Sequence, residues 1–418
     1  MPSSVLDMTQ SISQTTNDVS SDDNSSSDVA GSPAAQSGTN SEHDRDAAFA
    51  SRLERARRLV KDNQLEGLVF GSGVELEYFI GTPLFSHERL TALVITRDRA
   101  VLVAPAVERG EIEDSYVPRS EVTVDYWVDG QDPHDLVINV LTSSNPRNDE
   151  GETPSGTVGV GSTMTADHLL PLQDRGYRWI LAGPVLRELL MRKDSYEIEQ
   201  LTAAGQAIDR VHAAVPGLLR DGRTERDVAR DIEQLILKEH QAVDFIIVGS
   251  GPNGANPHHE YSDRIISAGD VVVVDIGGTL NGYHSDCTRT YVVDEPTEKQ
   301  QEIYDVLHQA QKEAVSAAKP GVSASQIDAI ARNVITEAGY GDNFIHRTGH
   351  GIGLSTHEEP FIVTGNELVL EPGMAFSVEP GIYLEGEWGA RIEDILIITD
   401  DGATSVNNQT HDLVRTEK

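Results

Sequence analysis

Residues 271–286 read Val-Val-Val-Val-Asp-Ile-Gly-Gly-Thr-Leu-Asn-Gly-Tyr-His-Ser-Asp, and this stretch predicts a β-hairpin with an acid on each arm. The dipeptide Asn281-Gly282 is a strong signal for a tight reversal between antiparallel strands. The reversal brings Asp275 and Asp286 close together. Asp275 ends a strongly apolar run, where a lone carboxylate is costly unless something compensates it. Read alone, the stretch leaves open a plain hairpin in which Asp275 caps a turn and Asp286 is exposed.

A second acidic hairpin lies at residues 376–394, which read Phe-Ser-Val-Glu-Pro-Gly-Ile-Tyr-Leu-Glu-Gly-Glu-Trp-Gly-Ala-Arg-Ile-Glu-Asp. It places Glu379 and Glu393 at strand positions on the two sides of a glycine-containing turn. The alternative is an ordinary hairpin whose acids lie on its wet face. That alternative is weakened because Glu379 follows an apolar run, just as Asp275 does. The two hairpins are therefore loose echoes of each other.

Three histidines and three glycines fall within residues 346–357, which read His-Arg-Thr-Gly-His-Gly-Ile-Gly-Leu-Ser-Thr-His. Glycine permits close backbone approach and positive φ, and histidine is a good metal ligand and proton carrier near neutral pH. A single histidine is more often an ordinary core residue. The cluster of His346, His350 and His357 instead indicates a functional site.

Together the acids and histidines predict a metal centre. Four carboxylates in one apolar pocket would repel one another and raise each other's pKa, whereas two divalent cations would cancel the four charges. Oxygen ligands with one imidazole suit Mn²⁺, Co²⁺, Fe²⁺ or Zn²⁺ better than a metal that prefers thiolates, and we expect Mn²⁺ or Co²⁺ first. Two-metal sites, with ions roughly 3.5–4 Å apart, activate water and polarise carbonyls. The expected chemistry is metal-assisted amide hydrolysis.

Outward from this region, the chain divides into three parts. Residues 1–44 are rich in Ser, Thr, Asp, Asn and Gly without an aromatic residue, which predicts a disordered acidic tail. Residues 45–183 predict a small α/β domain that opens with a helix over 47–63, for which Asp46 is the expected N-cap. Residues 184–418 predict the catalytic domain, in which helices precede apolar strands and Gly-rich turns.

Coarser patterns place the other elements. Apolar runs bounded by Gly and Pro predict strands at 67–70, 92–95, 100–104, 177–182, 375–378 and 392–398. Apolar residues at helical spacing predict helices at 184–218, 224–240, 298–318 and 323–338. Thr224 is the expected N-cap of the second of these helices.

The composition argues against nucleic-acid binding, although it leaves a local basic patch open, and it favours one environment. The net charge is −35 and the pI is about 4.6, whereas a nucleic-acid binder needs a basic face. Of the 33 Lys and Arg residues, 7 are Lys. An acidic, Lys-poor surface favours a protein from a salt-rich, halophilic cytoplasm; the alternative is an acidic tail on an ordinary acidic surface.

Cysteine count and hydropathy set the expected compartment. Cys287 is the single cysteine, so no internal disulfide can form. The N-terminus lacks the pattern of a secretory signal, and no apolar stretch approaches the ~18–20 residues that span a bilayer. We therefore expect a soluble, cytoplasmic protein.

Taken in order, the motifs resemble those of the pita-bread metallopeptidases, the family of methionine aminopeptidases, prolidases and aminopeptidase P. The motifs are Asp275-Ile-Gly, Asp286-Cys-Thr-Arg, His346-Arg-Thr-Gly-His350-Gly-Ile-Gly, His357-Glu, Glu379-Pro-Gly-Ile-Tyr383 and Arg391-Ile-Glu393-Asp. The resemblance covers about residues 190–400 and extends more weakly toward the N-terminus. It implies an α/β (α+β) chain whose C-terminal pita-bread domain has an internal pseudo-two-fold, preceded by a smaller creatinase/prolidase-like α/β domain. The pseudo-two-fold would account for the two similar hairpins.

The resemblance also implies the metal ligands. Asp275 resembles the bidentate ligand of one ion, and Asp286 and Glu393 resemble the ligands that bridge both ions. His350 and Glu379 resemble ligands of the second ion, and Glu379 also resembles the acid/base that relays the proton of the water. This complete set disfavours the metal-free creatinase-like branch and the histone-chaperone branch that has lost the ligands.

Further residues resemble those that contact the substrate. His258 resembles the histidine that donates to the substrate or leaving group, and its neighbour His259 is the alternative. His357 resembles the histidine that holds the substrate carbonyl or the tetrahedral intermediate. Arg391 resembles a side chain that orients the metal-binding acids from behind. The candidates for substrate binding are His259, His346, Tyr383 and Arg391.

Within the family, the domain of about 140 residues before the catalytic region favours Xaa-Pro dipeptidases and aminopeptidase P. A bond to proline is a tertiary amide without an N–H, constrained in φ and prone to cis/trans isomerism, so a dedicated pocket makes physical sense. We predict a homodimer that releases the N-terminal residue from Xaa-Pro dipeptides or short peptides, dipeptides being favoured. The alternatives are a hydrolase of another small amide such as a compatible solute, an aminopeptidase of broader specificity, a non-catalytic binding protein on this fold, and an acidic tail that serves as an interaction module.

Overall fold

Helix α1 (Gly38–Asp62) opens the part of the chain that the structure describes. The structure is a computed structural model that describes residues 38–85, 88–144 and 155–417. From His43 onward these residues form one compact unit. Of the predicted tail over residues 1–44, residues 1–37 lie outside the described residues.

The predicted start of the first helix is wrong. Residues 38–46 already belong to α1, so Asp46 lies inside the helix and is not its N-cap. Its carboxylate instead accepts a hydrogen bond from Arg119 Nε at 2.9 Å. His43 and Asp44 are exposed, and helical turns that face solvent carry no apolar stripe from which their periodicity could be read.

A six-stranded mixed sheet follows, with the strand order β4-β3-β2-β1-β5-β6. Its strands are β1 (Gly67–Gly71), β2 (Ala92–Ile95), β3 (Ala100–Pro105), β4 (Thr123–Trp127), β5 (Thr157–Val160) and β6 (Arg178–Leu181). The helices of this region are α2 (Val74–Ile80), α3 (Arg109–Asp114), α4 (Pro133–Ser143) and α5 (Ala166–Gln173). Strands β4 and β5 were not predicted. Strand β4 is mostly exposed or half-buried and therefore shows no apolar run, and β5 is a four-residue run interrupted by Gly159.

Three helices lead into the second half of the chain: α6 (Gly183–Leu190), α7 (Ser195–Ala214) and α8 (Glu225–Glu239). The predicted helix over 184–218 is divided because Asp194 starts a new one. The Asp194 carboxylate accepts from the Glu197 backbone N–H at 2.9 Å, and the Glu197 carboxylate accepts from the Asp194 N–H at 3.1 Å, which is a capping box. Thr224 caps α8 as predicted. Within the described ranges, no helix is long and apolar enough to cross a membrane.

The remaining elements form a mixed five-stranded sheet, an antiparallel five-stranded sheet and a two-stranded ribbon, together with two helices. In chain order they are β7 (Ala242–Ser250), β8 (Val271–Leu280), β9 (Tyr283–His284), β10 (Cys287–Val293), α9 (Glu298–Ala317), α10 (Ala324–Glu337), β11 (Gly349–Gly351), β12 (Glu358–Ile362), β13 (Ala375–Val378), β14 (Gly381–Leu384), β15 (Trp388–Arg391), β16 (Asp394–Ile398), β17 (Ala403–Ser405) and β18 (Val414–Thr416). One sheet has the order β18-β10-β8-β7 with β9 on β8, the other has the order β12-β11-β13-β16-β17, and β14 pairs with β15.

The order of elements repeats within this half. Helices α7 and α8 precede the sheet of β8 and β10, and helices α9 and α10 precede the sheet of β13 and β16. Each sheet carries one of the acidic hairpins. In the first hairpin, Asn281 and Gly282 both have positive φ, 53° and 82°, as a type I′ turn requires. The predicted reversal at this dipeptide is confirmed.

Arg52 joins helix α1 to the rest of the unit from a fully buried position. Its guanidinium donates to Asp194 Oδ2 at 2.8 Å, to the Tyr78 carbonyl at 3.0 Å and to the Tyr283 hydroxyl at 3.2 Å. Its Nη2 also lies 3.7 Å from Glu197 Oε2. Buried charges of this kind require their partners, because a lone buried ion carries an uncompensated desolvation cost.

We expect Arg52→Met to lower the free energy of unfolding by about 3–5 kcal/mol, because it leaves the buried Glu197 without its cation. Denaturant titration of the metal-free protein measures the change. Arg58→Met, at an exposed position of the same helix, should stay within about 0.5 kcal/mol of the parent. Equal stabilities for the two variants would show that Arg52 does not hold α1 in place.

Candidate metal centre

The two hairpins and strand β11 bring the five predicted ligands to one cavity of about 1080 Å³. Asp275 lies in β8 and Asp286 immediately before β10, and the strand register places Thr288 opposite Asp275. Glu379 and Glu393 flank the pair of β13 and β16, in which Val378 is opposite Asp394. His350 is the central residue of β11. The ladders thus fix the acids side by side, as the hairpin patterns predicted.

Three of these groups meet most closely. Ligand atoms of Asp286, His350 and Glu393 all lie within 4.8 Å of one another, and all three residues are buried. The Nε2 atom of His350 lies 3.3 Å from Glu379 Oε1 and 3.6 Å from Asp286 Oδ2. This spacing leaves room for a cation between the imidazole and the carboxylates.

His350 is oriented as a metal ligand. Its Nδ1 lies 3.1 Å from the carbonyl oxygen of Gly351, so Nδ1 carries the proton and Nε2 presents its lone pair to the acids. Burial lowers the pKa of His350 to about 3, which keeps the ring neutral. A Cβ at the preceding Gly349 would collide with the carbonyl oxygen of Ser377, so glycine is needed for β11 to pack this close to β13.

Burial and their closeness to one another raise the pKa values of three of the acids. Burial and the neighbouring carboxylates raise the pKa of Asp286 and of Glu393 well above the ordinary range. Burial, with Asp275 as a further cause, raises the pKa of Glu379 to about 7. A cation among the four carboxylates would favour their charged forms and reverse these shifts.

The residues present fit two divalent ions. Asp275 Oδ1 is buried and has no hydrogen-bond partner among the described residues, although a buried carboxylate oxygen normally has one. A metal ion would satisfy it. Four carboxylates carry four negative charges, which two dications cancel, and the set of oxygens with one imidazole suits Mn²⁺, Co²⁺, Zn²⁺ or Fe²⁺.

Arg391 supports the acids from behind. It is buried, and its Nη2 donates to Asp275 Oδ2 at 2.5 Å. Its Nε donates to Thr288 Oγ1 at 3.1 Å, and the Thr288 hydroxyl donates to Glu393 Oε2 at 2.7 Å. Arg391 therefore orients one acid directly and one through a hydroxyl. Although it also lines the cavity, its donors are committed to these partners.

Of the other predicted substrate contacts, His346 lines the cavity and Tyr383 does not. The Tyr383 hydroxyl is 2.9 Å from His346 Nε2 and accepts from Arg391 Nη1 at 2.8 Å. Burial raises the pKa of Tyr383 to about 12. The Tyr383 hydroxyl is engaged by His346 and Arg391, which both line the cavity, whereas Tyr383 is not among the lining residues. Its contact with the substrate stays a prediction.

The structure separates His258 from His259. His258 is exposed and lines the cavity, whereas His259 is not among the lining residues. The ring of His259 turns away, and its Nε2 lies 2.9 Å from Glu225 Oε2. The prediction that His259 binds the substrate is therefore not supported, while His258 keeps the position expected of the donating histidine. His357 also lines the cavity, with its ring centroid 4.1 Å from that of His350.

Glu225 is a residue of this site that the sequence pattern did not reveal. It is fully buried, and its carboxylate accepts from the backbone N–H and hydroxyl of Ser250 at 2.8 and 2.6 Å and from those of Ser262 at 2.9 and 2.7 Å. Burial alone would raise the pKa of Glu225, but the hydrogen bonds from Ser250, His259 and Ser262 hold it below the ordinary value. The loop that carries His258 is thus fastened at both ends. In sequence, Glu225 looks like an ordinary first-turn acid after an N-cap.

Asp244 is another carboxylate that the sequence pattern missed, and it lines the cavity. Its Oδ2 lies 2.5 Å from His284 Nδ1, and its Oδ1 accepts from the Thr279 hydroxyl at 2.5 Å. His284 Nδ1 is also 3.1 Å from the hydroxyl of Thr356, the residue before His357. Asp244 and His284 therefore link β7 and β9 to the loop that carries His357.

Comparison with known families matches two parts of the chain. Residues 199–400 match the family described as Metallopeptidase family M24. Residues 52–181 match the Creatinase/Prolidase N-terminal domain.

Individual relatives match along nearly their whole length. The protein named "Probable dipeptidase PepE" of Mycobacterium tuberculosis is 52% identical over 370 residues, which are 88% of this chain and 96% of the relative. The protein named "Xaa-Pro dipeptidase" of Pyrococcus furiosus is 35% identical over 370 residues, 87% of this chain and 99% of the relative. The crystal structure of dipeptidase PepE from Mycobacterium ulcerans, at 49% identity, has a TM-score of 0.84 and covers 89% of this chain and 99% of that one.

Proposed function

The chain belongs to metallopeptidase family M24, and from that premise we propose that it hydrolyses the bond before proline in Xaa-Pro dipeptides with two divalent metal ions. Membership confirms the predicted fold class, a creatinase-type N-terminal α/β domain followed by a pita-bread domain. The observation that carries the proposal is the meeting of Asp286, His350 and Glu393 within 4.8 Å in the cavity that Asp275 and Glu379 also line.

We assign the ligand roles to the residues that the sequence predicted. Asp275, Asp286, His350, Glu379 and Glu393 would hold the ions, and the partnerless Asp275 Oδ1 supports this assignment. The donor set favours Mn²⁺ or Co²⁺, with Zn²⁺ and Fe²⁺ as alternatives. When bound, the two ions supply Lewis-acid activation of water and of the scissile carbonyl.

The side chains around the ions would then manage the protons and developing charges. The Glu379 carboxylate takes the proton of the attacking water and delivers it to the proline nitrogen as the C–N bond breaks. His357 donates a hydrogen bond to the carbonyl oxygen as that oxygen gains negative charge. His258 donates to the substrate from the loop that Glu225 fastens. Arg391 keeps Asp275 and Glu393 in position throughout.

A second candidate is a dipeptidase without a strict requirement for proline. The relative at 52% identity is named a probable dipeptidase, without mention of proline, whereas the relative named for Xaa-Pro substrates is 35% identical. Both activities need the same metal centre. They differ in whether the site accepts a substrate whose scissile amide carries an N–H.

The proposal is tested by adding Mn²⁺ or Co²⁺ to metal-stripped protein with Ala-Pro, Ala-Pro-Ala or Ala-Leu as substrate. We expect cleavage of Ala-Pro that depends on metal and clearly exceeds cleavage of the other two. Comparable cleavage of Ala-Leu would favour the broader dipeptidase, and preferential cleavage of Ala-Pro-Ala would favour an aminopeptidase. No cleavage of any peptide with two metals bound would overturn peptidase function.

Four further features stay predictions. The predicted salt-rich origin implies that activity rises with salt in the same assay. The boundary between the two domains is proposed near residue 184, and the family matches at 52–181 and 199–400 support it. A homodimer is expected, which sedimentation of the purified chain would test. The cytoplasm stays the expected compartment.

A further inference from the structure

Two histidines of the N-terminal domain, His134 and His168, lie side by side away from the metal-centre cavity. His134 is in the first turn of α4 and His168 is in the first turn of α5. Their ring centroids are 5.6 Å apart, with the ring planes tilted by 45°, and neither residue lines the cavity of the metal centre. Two helices that are distant in sequence thus bring two imidazoles together.

Each of the two rings has a nitrogen without a hydrogen bond. His134 Nε2 and His168 Nδ1 are buried and have no hydrogen-bond partner among the described residues, although buried polar atoms normally have one. His134 Nδ1 lies 3.0 Å from Asp132 Oδ1. Because a carboxylate only accepts, Nδ1 carries the proton and Nε2 presents its lone pair. Burial and the neighbouring His134 lower the pKa of His168, so that ring is neutral as well.

Asp132 holds His134 in the orientation that metal-binding histidines commonly have. Imidazoles that ligate a metal almost always donate their other ring N–H to a carboxylate, a backbone carbonyl or water. The Asp132 carboxylate also accepts from the His134 backbone N–H at 2.9 Å and from Arg175 Nη2 at 2.5 Å. Asp132 is therefore fixed at the N-cap of α4, and it fixes the imidazole in turn.

The spacing of the rings suits one shared ion. Bonds between Zn²⁺ and histidine nitrogen are about 2.0–2.1 Å long, so the centroids of two rings that bind one ion are at most about 6.5 Å apart. The observed 5.6 Å lies within this limit. Both residues are only half-buried, so small rotations of the rings would open their nitrogens to an ion from solution.

We propose that His134 and His168 bind one Zn²⁺, Ni²⁺ or Cu²⁺ ion, which joins the start of α4 to the start of α5. Imidazole nitrogens suit these cations. Water completes the coordination shell, because the described part of the chain offers no cluster of three ligand side chains here. This ion is separate from the catalytic ions. It stabilises the N-terminal domain by cross-linking two of its helices and takes no part in the reaction.

The test counts Ni²⁺ bound per chain by equilibrium dialysis of metal-stripped protein. We expect the parent to bind one more Ni²⁺ than either His134→Gln or His168→Gln, since Ni²⁺ taken up by the catalytic centre is the same in all three and cancels in the comparison. Added Ni²⁺ should also raise the thermal unfolding midpoint of the parent more than that of the two variants.

Two further variants sharpen the comparison. Asp132→Asn keeps an N-cap residue and both histidines but removes the carboxylate, so it should weaken binding of the additional Ni²⁺ by about 10–100-fold. His43→Gln removes an exposed histidine of α1 and should keep the additional ion. The unfolding midpoints without metal show whether each variant folds.

The inference is overturned if the parent and both histidine variants bind the same number of ions, because water alone would then serve the two nitrogens. Loss of the ion in one histidine variant and not in the other would rule out a shared site. Loss of the ion in His43→Gln as well would reveal unspecific binding to surface histidines. If a histidine variant fails to fold, Asp132→Asn decides, and an unchanged affinity for Ni²⁺ in that variant overturns the site.

Discussion

Replacement of Glu393 by Gln should lower kcat/KM on Ala-Pro by at least about 1000-fold, which corresponds to about 4 kcal/mol of transition-state stabilisation. Glu393 is buried beside Asp286 and His350, and the amide removes one of the four negative charges that would balance two dications. It also replaces one of the two carboxylate oxygens by an NH2 donor, so one oxygen is left to serve both a metal ion and the Thr288 hydroxyl. Kinetics with saturating Mn²⁺ or Co²⁺, together with metal content after dialysis, measure the effect.

The same hairpin supplies the control for this variant. Glu387 is exposed in the turn between β14 and β15, so Glu387→Gln changes the net charge equally and leaves the centre untouched. It should keep two metals and the parent's kcat. If Glu393→Gln retained both ions and the parent's kcat, Glu393 could not be a shared ligand, and the assignment of the centre would have to change.

The hairpins could be predicted because the information that fixes them is local. A type I′ turn needs two adjacent residues with positive φ. Asn281-Gly282 is a dipeptide that adopts this conformation readily, so the turn can be predicted from the sequence. The alternation of the strands then places Asp275 and Asp286 without any knowledge of the remaining fold. Glu379 and Glu393 follow by the same reasoning, although their turn is longer. Most of the candidate metal centre is therefore predictable from local sequence patterns alone.

What the sequence could not predict depends on contacts between distant segments. Glu225 fastens the loop that carries His258 because Ser250 and Ser262, which lie in a distant strand and loop, donate to its carboxylate. Tyr383 lies in a matching motif, yet its hydroxyl accepts from Arg391 and the residue is not among those that line the cavity. Side-chain direction of this kind is set by packing after the elements have assembled, so neighbouring positions such as His258 and His259 look equivalent in the sequence and differ in the structure.

The difference between His258 and His259 leads to the second prediction with a large expected effect. His258→Gln should lower kcat/KM on Ala-Pro by about 100-fold or more, because the glutamine amide cannot place its N–H where the imidazole presents its donor to the substrate, and loss of one preorganised donor typically costs about 10²–10³-fold. His259→Gln should stay within about 10-fold of the parent, because its new N–H can replace the donor to Glu225 at a cost of roughly one hydrogen bond. Steady-state kinetics of the two variants under one set of metal and pH conditions measure both numbers.

The pair is its own control, since the same substitution is made at adjacent positions of one loop. If the loss at residue 258 came only from a disturbed loop, residue 259 should suffer at least as much, because it is the one bonded to the buried Glu225. A larger loss in His259→Gln than in His258→Gln would reverse the assignment and make His259 the residue that reaches the substrate, after movement of the loop away from Glu225.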